Sequence, residues 1–475
     1  MTEFEIQKSL RQLTASYAGI KNAGKIVISS LPQAGSDRRY YRISCGDMSF
    51  IGTYTPDPSE GRCFCQLAQD FHNAGCAVPA VYACSPDCRL YIQEDLGDVS
   101  LFSKISEVNV EDLVRQTLFN LVCLQSVPSD IWESDCMSRP FSRRQVMWDL
   151  NYFKYEFVKP AGIVFDEECL EDDFNRFADE LMAMPEKFCG FMMRDCQSRN
   201  VMISRDVPKF IDFQGGRRGP VLYDAVSLLW QARAGFSADF RMRMLDYYAD
   251  TYCKGNESLK EQLLSYWPDI VLLRTLQVLG AYGFRGLVEH RSHFILSIPG
   301  AISNLAESLN RGDLDRFPEL KRLCGSLTSK ETFRAPDIQS SLRVEVFSFS
   351  YKKGYPFDSS GNGGGFMFDC RAMHNPGRYE EYKRLTGRDL PVKDFLERRG
   401  EVQSFLKSAW AMTDPAVERY ISRGFSNLQI GFGCTGGQHR SVYCAEATAR
   451  HIMDTFPEAN VQLIHREHPD NTKEV

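Results

Sequence analysis

The chain has 475 residues, 43% of them hydrophobic and 25% charged, and a formal net charge of −6. It is longer than one hydrophobic core usually serves, so we expect two or three domains. The negative charge argues against a protein that coats nucleic acid over its whole surface. The sequence has no apolar run of about 18 residues and no secretion signal at its start, so we expect a cytoplasmic protein without membrane contact.

Cysteine is frequent but scattered. The chain has 16 cysteines and no Cys-x2-Cys pair. One cluster contains Cys63, Cys65, Cys76, Cys84 and Cys88. Zinc ligation there is one interpretation, and reduced, partly buried thiols are the interpretation we prefer.

The first 97 residues have strand periodicity after an opening helix over residues 4–17. Alternation and turn residues predict strands and one helix in this order: strands 25–30, 39–43 and 48–54, a helix over 60–74, then strands 78–84 and 90–94. Between the first two strands lie Gly35, Ser36, Arg38 and Arg39. We predict that this loop binds nucleotide phosphates through backbone amides and basic side chains. A solvated hairpin is the alternative.

Residues 98–325 are mostly helical in pattern, and they include the most informative motif of the chain. Asp195 and Asn200 stand five positions apart, and Asp212 follows two short predicted strands at 201–204 and 209–211. Phosphoryl transfer needs a carboxylate at the attacking hydroxyl and oxygen ligands for Mg²⁺ beside the ATP phosphates. The spacing therefore predicts Asp195 as the catalytic base and Asn200 and Asp212 as Mg²⁺ ligands. The alternative for Asp195 is a loop carboxylate that only accepts backbone hydrogen bonds.

Periodicity is lost over residues 326–341, so we predict a linker there, between a first domain of residues 1–325 and a second of 342–475. The second domain has predicted strands at 344–349, 366–369 and 428–433. The last of these leads into the loop Cys434 to Ser441 and an Ala-rich helix. Glycines at a helix start, with Arg440 as a forked donor, predict an anion site. The same residues match the phosphate loop of cysteine phosphatases, with Cys434 as nucleophile. A structural Gly-rich turn is the third alternative.

The segments Met193 to Asn200, Asp212 to Gly216 and Gly219 to Asp224 resemble the aminoglycoside-phosphotransferase-like family. Within it, they and the loop Ser36 to Arg42 are most similar to amino-sugar kinases of the AmgK type, which act on N-acetylmuramate and N-acetylglucosamine at the anomeric hydroxyl. The resemblance implies a bilobal protein-kinase-like fold, with lobes near residues 1–97 and 98–325. It also implies ATP, Mg²⁺ and Asp224 as an anchor of the catalytic loop.

Two departures from the kinase pattern leave a pseudokinase open. Met193 stands where a His is usual, and the predicted strand 48–54 has no lysine for the phosphates.

A second resemblance covers the carboxy-terminal part. Phe347 to Gly354, Phe368 to Arg371, Leu385 to Gly387 and Gly433 to Tyr443 are similar to the carboxy-terminal domain of the RNase adapter RapZ. This implies an α/β domain that binds a sugar phosphate like glucosamine-6-phosphate, and regulatory RNA in some relatives. The implied ligand residues are Asp369, Arg371, Cys434, Thr435, Gly436, Gly437, His439 and Arg440.

Together these features predict a kinase-like bilobal domain followed by a smaller α/β domain. We interpret the chain as an ATP- and Mg²⁺-dependent kinase of an amino sugar, fused to a sugar-phosphate sensor. Two alternatives remain: an RNA-binding adapter with a non-catalytic kinase half, and a phosphatase at Cys434. RNA binding and homo-oligomerisation are left open.

Overall fold

The structure is a computed structural model that describes most of the chain. The described residues are 1–21, 23–32, 37–105, 107–133, 139–289, 292–295, 297–330, 333, 342–358, 365–398, 400–423, 425–468 and 473–474. They form two compact units. The first unit comprises Met1–Gly283 and Pro299–Lys330, and the second comprises Phe284–Ile298 and Glu331–Val475.

The first unit begins with a small lobe built on a five-stranded antiparallel sheet of order β1-β2-β3-β5-β4. Its elements are α1 (Glu3–Tyr17), β1 (Val27–Ser30), β2 (Arg39–Cys45), β3 (Met48–Tyr54), α2 (Pro58–Asn73), β4 (Val81–Cys84) and β5 (Leu90–Glu94). Each predicted element of this region is present, and β4 begins three residues later than predicted.

Strand alternation gives the small-lobe sheet two different faces. On one face, Ile6 and Leu10 of α1 pack into a core with Ile43, Phe50 and Ile92 of the strands. On the other face, the paired residues Tyr40 of β2 and Thr53 of β3 lie beside Tyr91 of β5, which stacks on Phe64 of α2 with ring centroids 4.9 Å apart. This second face belongs to the candidate site.

The large lobe of the first unit is helical, with two short two-stranded sheets. Its helices are α3 (Leu101–Lys104), α4 (Val110–Gln125), α5 (Ser129–Trp132), α6 (Arg143–Phe153), α7 (Glu167–Met182), α8 (Leu222–Leu229), α9 (Ala238–Cys253), α10 (Glu257–Leu264), α11 (Trp267–Tyr282), α13 (Ile298–Arg311) and α14 (Pro318–Ser329). One sheet pairs β6 (Cys189–Met192) with β9 (Arg217–Pro220), and the other is the hairpin of β7 (Val201–Ser204) and β8 (Val207–Phe210). The predicted catalytic and metal loops lie between these strands.

The second unit is an α/β layer structure around a five-stranded sheet of order β11-β12-β10-β13-β14. Its elements are α12 (Ser292–Ile295), β10 (Arg343–Ser350), β11 (Gly365–Asp369), α15 (Leu390–Glu397), α16 (Glu401–Ser422), β12 (Asn427–Cys434), α17 (Arg440–Thr455), β13 (Asn460–His465) and β14 (Lys473–Glu474). The first four strands of that order are parallel, so their carboxyl ends share one edge. Ligands of such sheets bind at that edge.

The predicted fold class is confirmed in its architecture: a unit with a β-sheet lobe and a helical lobe precedes an α/β unit with a parallel sheet. The predicted linker differs from the structure at its start, because α14 continues to Ser329. Residues 331–332 and 334–341 of that linker lie outside the described residues. Among the helices that the structure describes, none is long and apolar enough to cross a lipid bilayer.

Candidate functional site

A buried carboxylate holds the predicted catalytic loop in place. Asp224, in the first turn of α8, accepts hydrogen bonds from the main-chain N–H groups of Met193 (2.7 Å) and Arg194 (3.0 Å). Burial raises the pKa of Asp224 to about 7, although these two hydrogen bonds act in the opposite direction. Arg194 has the uncommon positive φ of 70°. The two hydrogen bonds fix this strained turn, as expected for an anchor of the loop.

The anchored turn presents Asp195 with a half-exposed side chain, at 50% of its full exposure. Its Oδ1 accepts a hydrogen bond from Arg274 Nη2 of α11 at 3.0 Å and another from the amide of Gln197. Arg274 is only 9% exposed. A carboxylate that is held on one side and open to solvent on the other has the geometry of a base that meets a substrate hydroxyl.

Asn200 connects the Asp195 turn to the segment that precedes Asp212. Asn200 Nδ2 donates to the Asp195 carbonyl oxygen at 2.9 Å, and the N–H of Ile211 donates to the Asn200 carbonyl oxygen at 2.9 Å. Asp212, the next residue, has a positive φ of 64°. The structure therefore brings together all three residues predicted from the motif.

Amide and carboxylate oxygens are ligands that suit Mg²⁺. In the part of the chain that the structure describes, no group of three or more His, Cys, Asp and Glu side chains is placed to hold a metal ion. A metal at Asn200 and Asp212 therefore needs further oxygens, and nucleotide phosphates supply them in kinases of this type.

Arg38 is part of a ring of four polar side chains under the small-lobe sheet. Arg38 Nε is 3.3 Å from Glu60 Oε1, and its Nη2 forms an ion pair with Asp212. Gln214 Nε2 closes the ring by donating to Glu60 Oε1 (3.2 Å) and to Asp212 Oδ1 (2.9 Å). Arg38 is 10% exposed, and the ring contains Asp212, the predicted metal ligand.

Arg39 is not brought to this site. As the next residue along the strand, it points to the opposite face, where its Nη1 donates to Glu3 of α1 at 3.3 Å. Gly35 and Ser36, the other two predicted nucleotide-binding residues, lie outside the described residues.

Phe213 fixes the position of the metal loop from the other side. It is fully buried and stacks on Phe64 of α2 at 5.3 Å between ring centroids, with Phe71 at 6.0 Å. In protein kinases, the packing of this aromatic residue separates active from inactive states. Here it connects the metal loop to the helix that carries Glu60.

In the second unit, the predicted anion loop follows β12 at the carboxyl edge of the parallel sheet. Cys434 is 3% exposed, and its Sγ accepts a hydrogen bond from the N–H of Gly437 (3.2 Å) and lies 3.1 Å from Ser441 Oγ. Burial disfavours the thiolate, but the hydrogen bonds from Ser441 and Gly437 and the charge of Arg440 leave the Cys434 pKa below its ordinary value. The thiol lies at the base of the loop.

Arg440 and His439 contact main-chain carbonyls instead of facing open space. Arg440 Nη1 donates to the carbonyl oxygens of Arg371 (2.9 Å) and Met373 (2.8 Å), and Arg440 is 4% exposed. His439 Nε2 lies 2.9 Å from the Tyr382 carbonyl oxygen. Both side chains thus connect the loop to neighbouring segments of the same unit.

The other predicted ligand residues of this unit lie on its surface. Thr435 and Gly436 are exposed. Asp369 and Arg371 form an ion pair at 2.7 Å, and the Arg371 guanidinium lies 4.2 Å from the centre of the Tyr351 ring. The Arg440 contact to the Arg371 carbonyl oxygen brings this pair to the loop.

Two family models match the chain. Residues 27–261 match the phosphotransferase enzyme family, and residues 342–469 match the RapZ C-terminal domain. The chain therefore joins a phosphotransferase-family domain to a RapZ C-terminal domain. This agrees with both resemblances that the sequence motifs carry.

Curated relatives match only part of the chain. A nucleotide-binding protein of Acidithiobacillus ferrooxidans is 40% identical over 128 residues, which are 27% of this chain and 40% of that protein. A nucleotide-binding protein of Xanthomonas euvesicatoria is 40% identical over 182 residues, 37% of this chain and 62% of the relative. The chain thus spans about two fifths to three fifths of the length of these relatives.

Solved structures of low sequence identity also match. A choline kinase from Cryptosporidium parvum has a TM-score of 0.47 and 12% identity, and the match covers 68% of this chain and 100% of that one. An ethanolamine kinase from Plasmodium vivax has a TM-score of 0.44 and 14% identity, with coverage of 62% and 84%.

Three residues of the first site were not predicted from the sequence motifs: Glu60, Gln214 and Arg274. Arg274 had a signal, since it is the one basic residue of the mainly apolar helix α11. Gln214 directly follows Phe213 in the chain. Only its side-chain contacts in the structure identify it as part of the site. Glu60 lies in the first turn of α2, where the sequence predicts only a carboxylate that stabilises the helix start.

Proposed function

We propose that the first unit is an ATP- and Mg²⁺-dependent phosphotransferase that phosphorylates a hydroxyl group of an amino sugar. The observation that carries the proposal is the contact chain from Asp195 through Asn200 to the Asp212 loop, anchored by Asp224. Membership of the phosphotransferase enzyme family supports the reaction class.

Each residue has a defined part in the proposed reaction. Asp195 accepts the proton of the acceptor hydroxyl, while Arg274 and Gln197 hold its carboxylate in one orientation. Asn200 and Asp212 are the residues that would hold Mg²⁺, which neutralises phosphate charge when it is bound. Asp224 does not react, and its hydrogen bonds keep the Asp195 turn in place.

The amino-sugar acceptor rests on the motif resemblance. The loops around Asp195 and Asp212 resemble those of kinases that act on N-acetylmuramate and N-acetylglucosamine, and this resemblance implies the anomeric hydroxyl as the target. The RapZ C-terminal domain of the second unit supports the same area of metabolism, because the sequence resemblance there implies a ligand like glucosamine-6-phosphate.

For the second unit, we propose sugar-phosphate binding at the carboxyl edge of the parallel sheet. Thr435 and Gly436 are exposed there in the loop before α17, and Arg440, the first residue of α17, contacts the segment that carries the Asp369–Arg371 pair. Backbone amides at a helix start and a nearby guanidinium suit a phosphate. In this proposal, the second unit reports the amino-sugar supply to the kinase unit.

A transfer assay tests the kinase proposal. The full chain is incubated with labelled ATP, Mg²⁺ and a panel that contains N-acetylmuramate and N-acetylhexosamines. We expect label on at least one sugar, and Asp195→Asn to lower transfer by roughly 100-fold or more without weakening ATP binding. The matched control is Asp206→Asn in the exposed turn between β7 and β8, which should retain wild-type transfer.

The same assay separates the alternatives. Nucleotide binding without transfer to any sugar would favour a non-catalytic adapter, and salt-dependent retention of RNA by the full chain would then support that role. Release of phosphate from sugar phosphates, abolished in Cys434→Ser, would favour the phosphatase.

Calorimetric binding of glucosamine-6-phosphate, but not of glucosamine, would support the sensor site, and no binding of either would contradict it.

A further inference from the structure

The small-lobe sheet has no lysine for the nucleotide. Neither β2 nor β3 contains one. Protein kinases use a lysine of the third strand, paired with a glutamate of the adjacent helix, to bind the α- and β-phosphates. The present chain keeps a glutamate at the start of the helix after β3, Glu60 of α2. A cation from another position is therefore needed to complete the pair.

Arg38 reaches that place from the neighbouring strand. It directly precedes β2, and its guanidinium carbon lies 5.9 Å from the Tyr40 ring centre, so Arg38 and Tyr40 share a face. Tyr40 pairs with Thr53 of β3. Since paired residues of adjacent strands point to the same side, Arg38 lies on the face of the sheet that a third-strand lysine of a kinase would occupy.

The two ends of the Arg38 guanidinium have different partners. Its Nε is 3.3 Å from Glu60 Oε1, and Glu60 is held in turn by Thr55 Oγ1, which donates to Oε2 at 3.1 Å, and by Gln214. Its Nη2 instead contacts Asp212, the predicted metal ligand. A cation at Asp212 therefore competes with the Nη2 contact and leaves the Nε contact to Glu60 intact.

We propose that Arg38 takes the part of the missing strand lysine and that its Nη2 exchanges Asp212 for a phosphate oxygen of the nucleotide. Glu60 is the positioning residue that keeps Arg38 in place during the exchange. The inference rests on the proposed kinase function. A forked guanidinium suits this double task, since one N–H group stays with the Glu60 carboxylate while another exchanges its partner for a phosphate oxygen.

Titration calorimetry of the full chain tests the inference. ATP, ADP and adenosine are titrated separately, each in the presence of Mg²⁺. In Arg38→Met, we expect the affinities for ATP and ADP to fall by roughly 10- to 150-fold, the equivalent of about 1.5–3 kcal/mol for a charged hydrogen bond. The affinity for adenosine should stay unchanged. Arg39→Met is the matched control, because the neighbouring arginine faces Glu3, and it should bind all three ligands like the wild type.

Two further variants separate phosphate binding from a structural role. Arg38→Lys keeps the charge but not the fork, so its ATP affinity should lie between those of Arg38→Met and the wild type. Glu60→Gln should also weaken ATP and ADP binding and spare adenosine. Thermal melting of each variant checks that the unit is folded.

The outcomes are distinct. If a folded Arg38→Met, or Arg38→Lys where the first variant fails to fold, binds ATP like the wild type, the inference is wrong and the kinase proposal stands. Equal loss of adenosine and ATP affinity would also overturn it. A wild-type chain that binds no nucleotide would contradict the kinase proposal itself, and with it the inference.

Discussion

The anchor of the catalytic loop gives the sharpest prediction. Asp224 accepts two main-chain hydrogen bonds in a fully buried place, from Met193 and Arg194. Asp224→Asn keeps one acceptor oxygen, so one of these N–H groups is left without an acceptor. An unsatisfied buried donor costs about 1–3 kcal/mol. Burial already penalises the charge of Asp224, as its raised pKa shows, so we expect the lower part of this range, about 1–2 kcal/mol.

Calorimetric melting of the full chain measures this cost. The transition that moves upward with ATP is assigned to the first unit. At about 2–4 °C per kcal/mol, Asp224→Asn should lower that Tm by roughly 2–8 °C. The rate of phosphoryl transfer should fall as well, because the turn that carries Asp195 loses a hydrogen bond. The effect should appear in kcat more than in KM for ATP.

Ser227→Ala is the matched control. Ser227 is a buried residue of the same helix, and among the described residues its hydroxyl has no hydrogen-bond partner. Its removal should leave Tm and kcat unchanged or raise Tm slightly. The reasoning is refuted if Asp224→Asn melts within about 1 °C of the wild type and keeps its kcat, or if Ser227→Ala is as damaging.

Four further predictions concern individual residues of both units. Because the folded pKa of Asp224 is about 7, above its ordinary value, protonation of Asp224 stabilises the first unit fully below about pH 4, and this stabilisation is lost as pH rises to about 7. Denaturant unfolding should show this pH dependence in the wild type and less of it in Asp224→Asn. His465 and Arg388 lower the pKa of Glu446 to about 2, so stability of the second unit should be lost as pH falls from about 4.5 towards 2, and Glu446→Gln should remove this dependence. Gly437→Ala should destabilise the second unit by about 2–4 kcal/mol in melting, since φ is 69° and the new Cβ would lie 2.4 Å from Glu467 Cγ, whereas Gly436→Ala, with open space at its Cβ, should not. Without Mg²⁺, Asp212→Asn should bind ADP roughly 2- to 10-fold more tightly than the wild type, because Arg38 is released from its carboxylate partner; unchanged or weaker binding would contradict this.

In the second unit, local sequence patterns predict the strands better than they predict the side-chain contacts of the interior. The Gly-rich loop predicted an anion site with the Arg440 guanidinium as a forked donor. In the structure, Nη1 of Arg440 donates to the carbonyl oxygens of Arg371 and Met373. These partners lie 69 and 67 positions away in the chain. A motif specifies the residue type, and packing of distant segments specifies what that residue contacts.

The amino-acid sequence by itself determined the parts whose chemistry is local. Asp195, Asn200 and Asp212 lie within 18 consecutive residues, and short-range hydrogen bonds and the β7–β8 hairpin bring them together. The same holds for β1, β2 and β3 of the small lobe, which are neighbours joined by short connections and whose alternation marks the buried face.

Only the tertiary structure decided which basic residue of the loop reaches Asp212. Arg38 and Arg39 are equivalent in a sequence motif, but consecutive strand positions face opposite sides, so one reaches Asp212 and the other Glu3. The partners of Arg38 and Asp195 lie far along the chain: 174 positions separate Arg38 from Asp212, and 79 separate Arg274 from Asp195. Such pairs depend on how helices and sheet pack, and no local spacing encodes that packing.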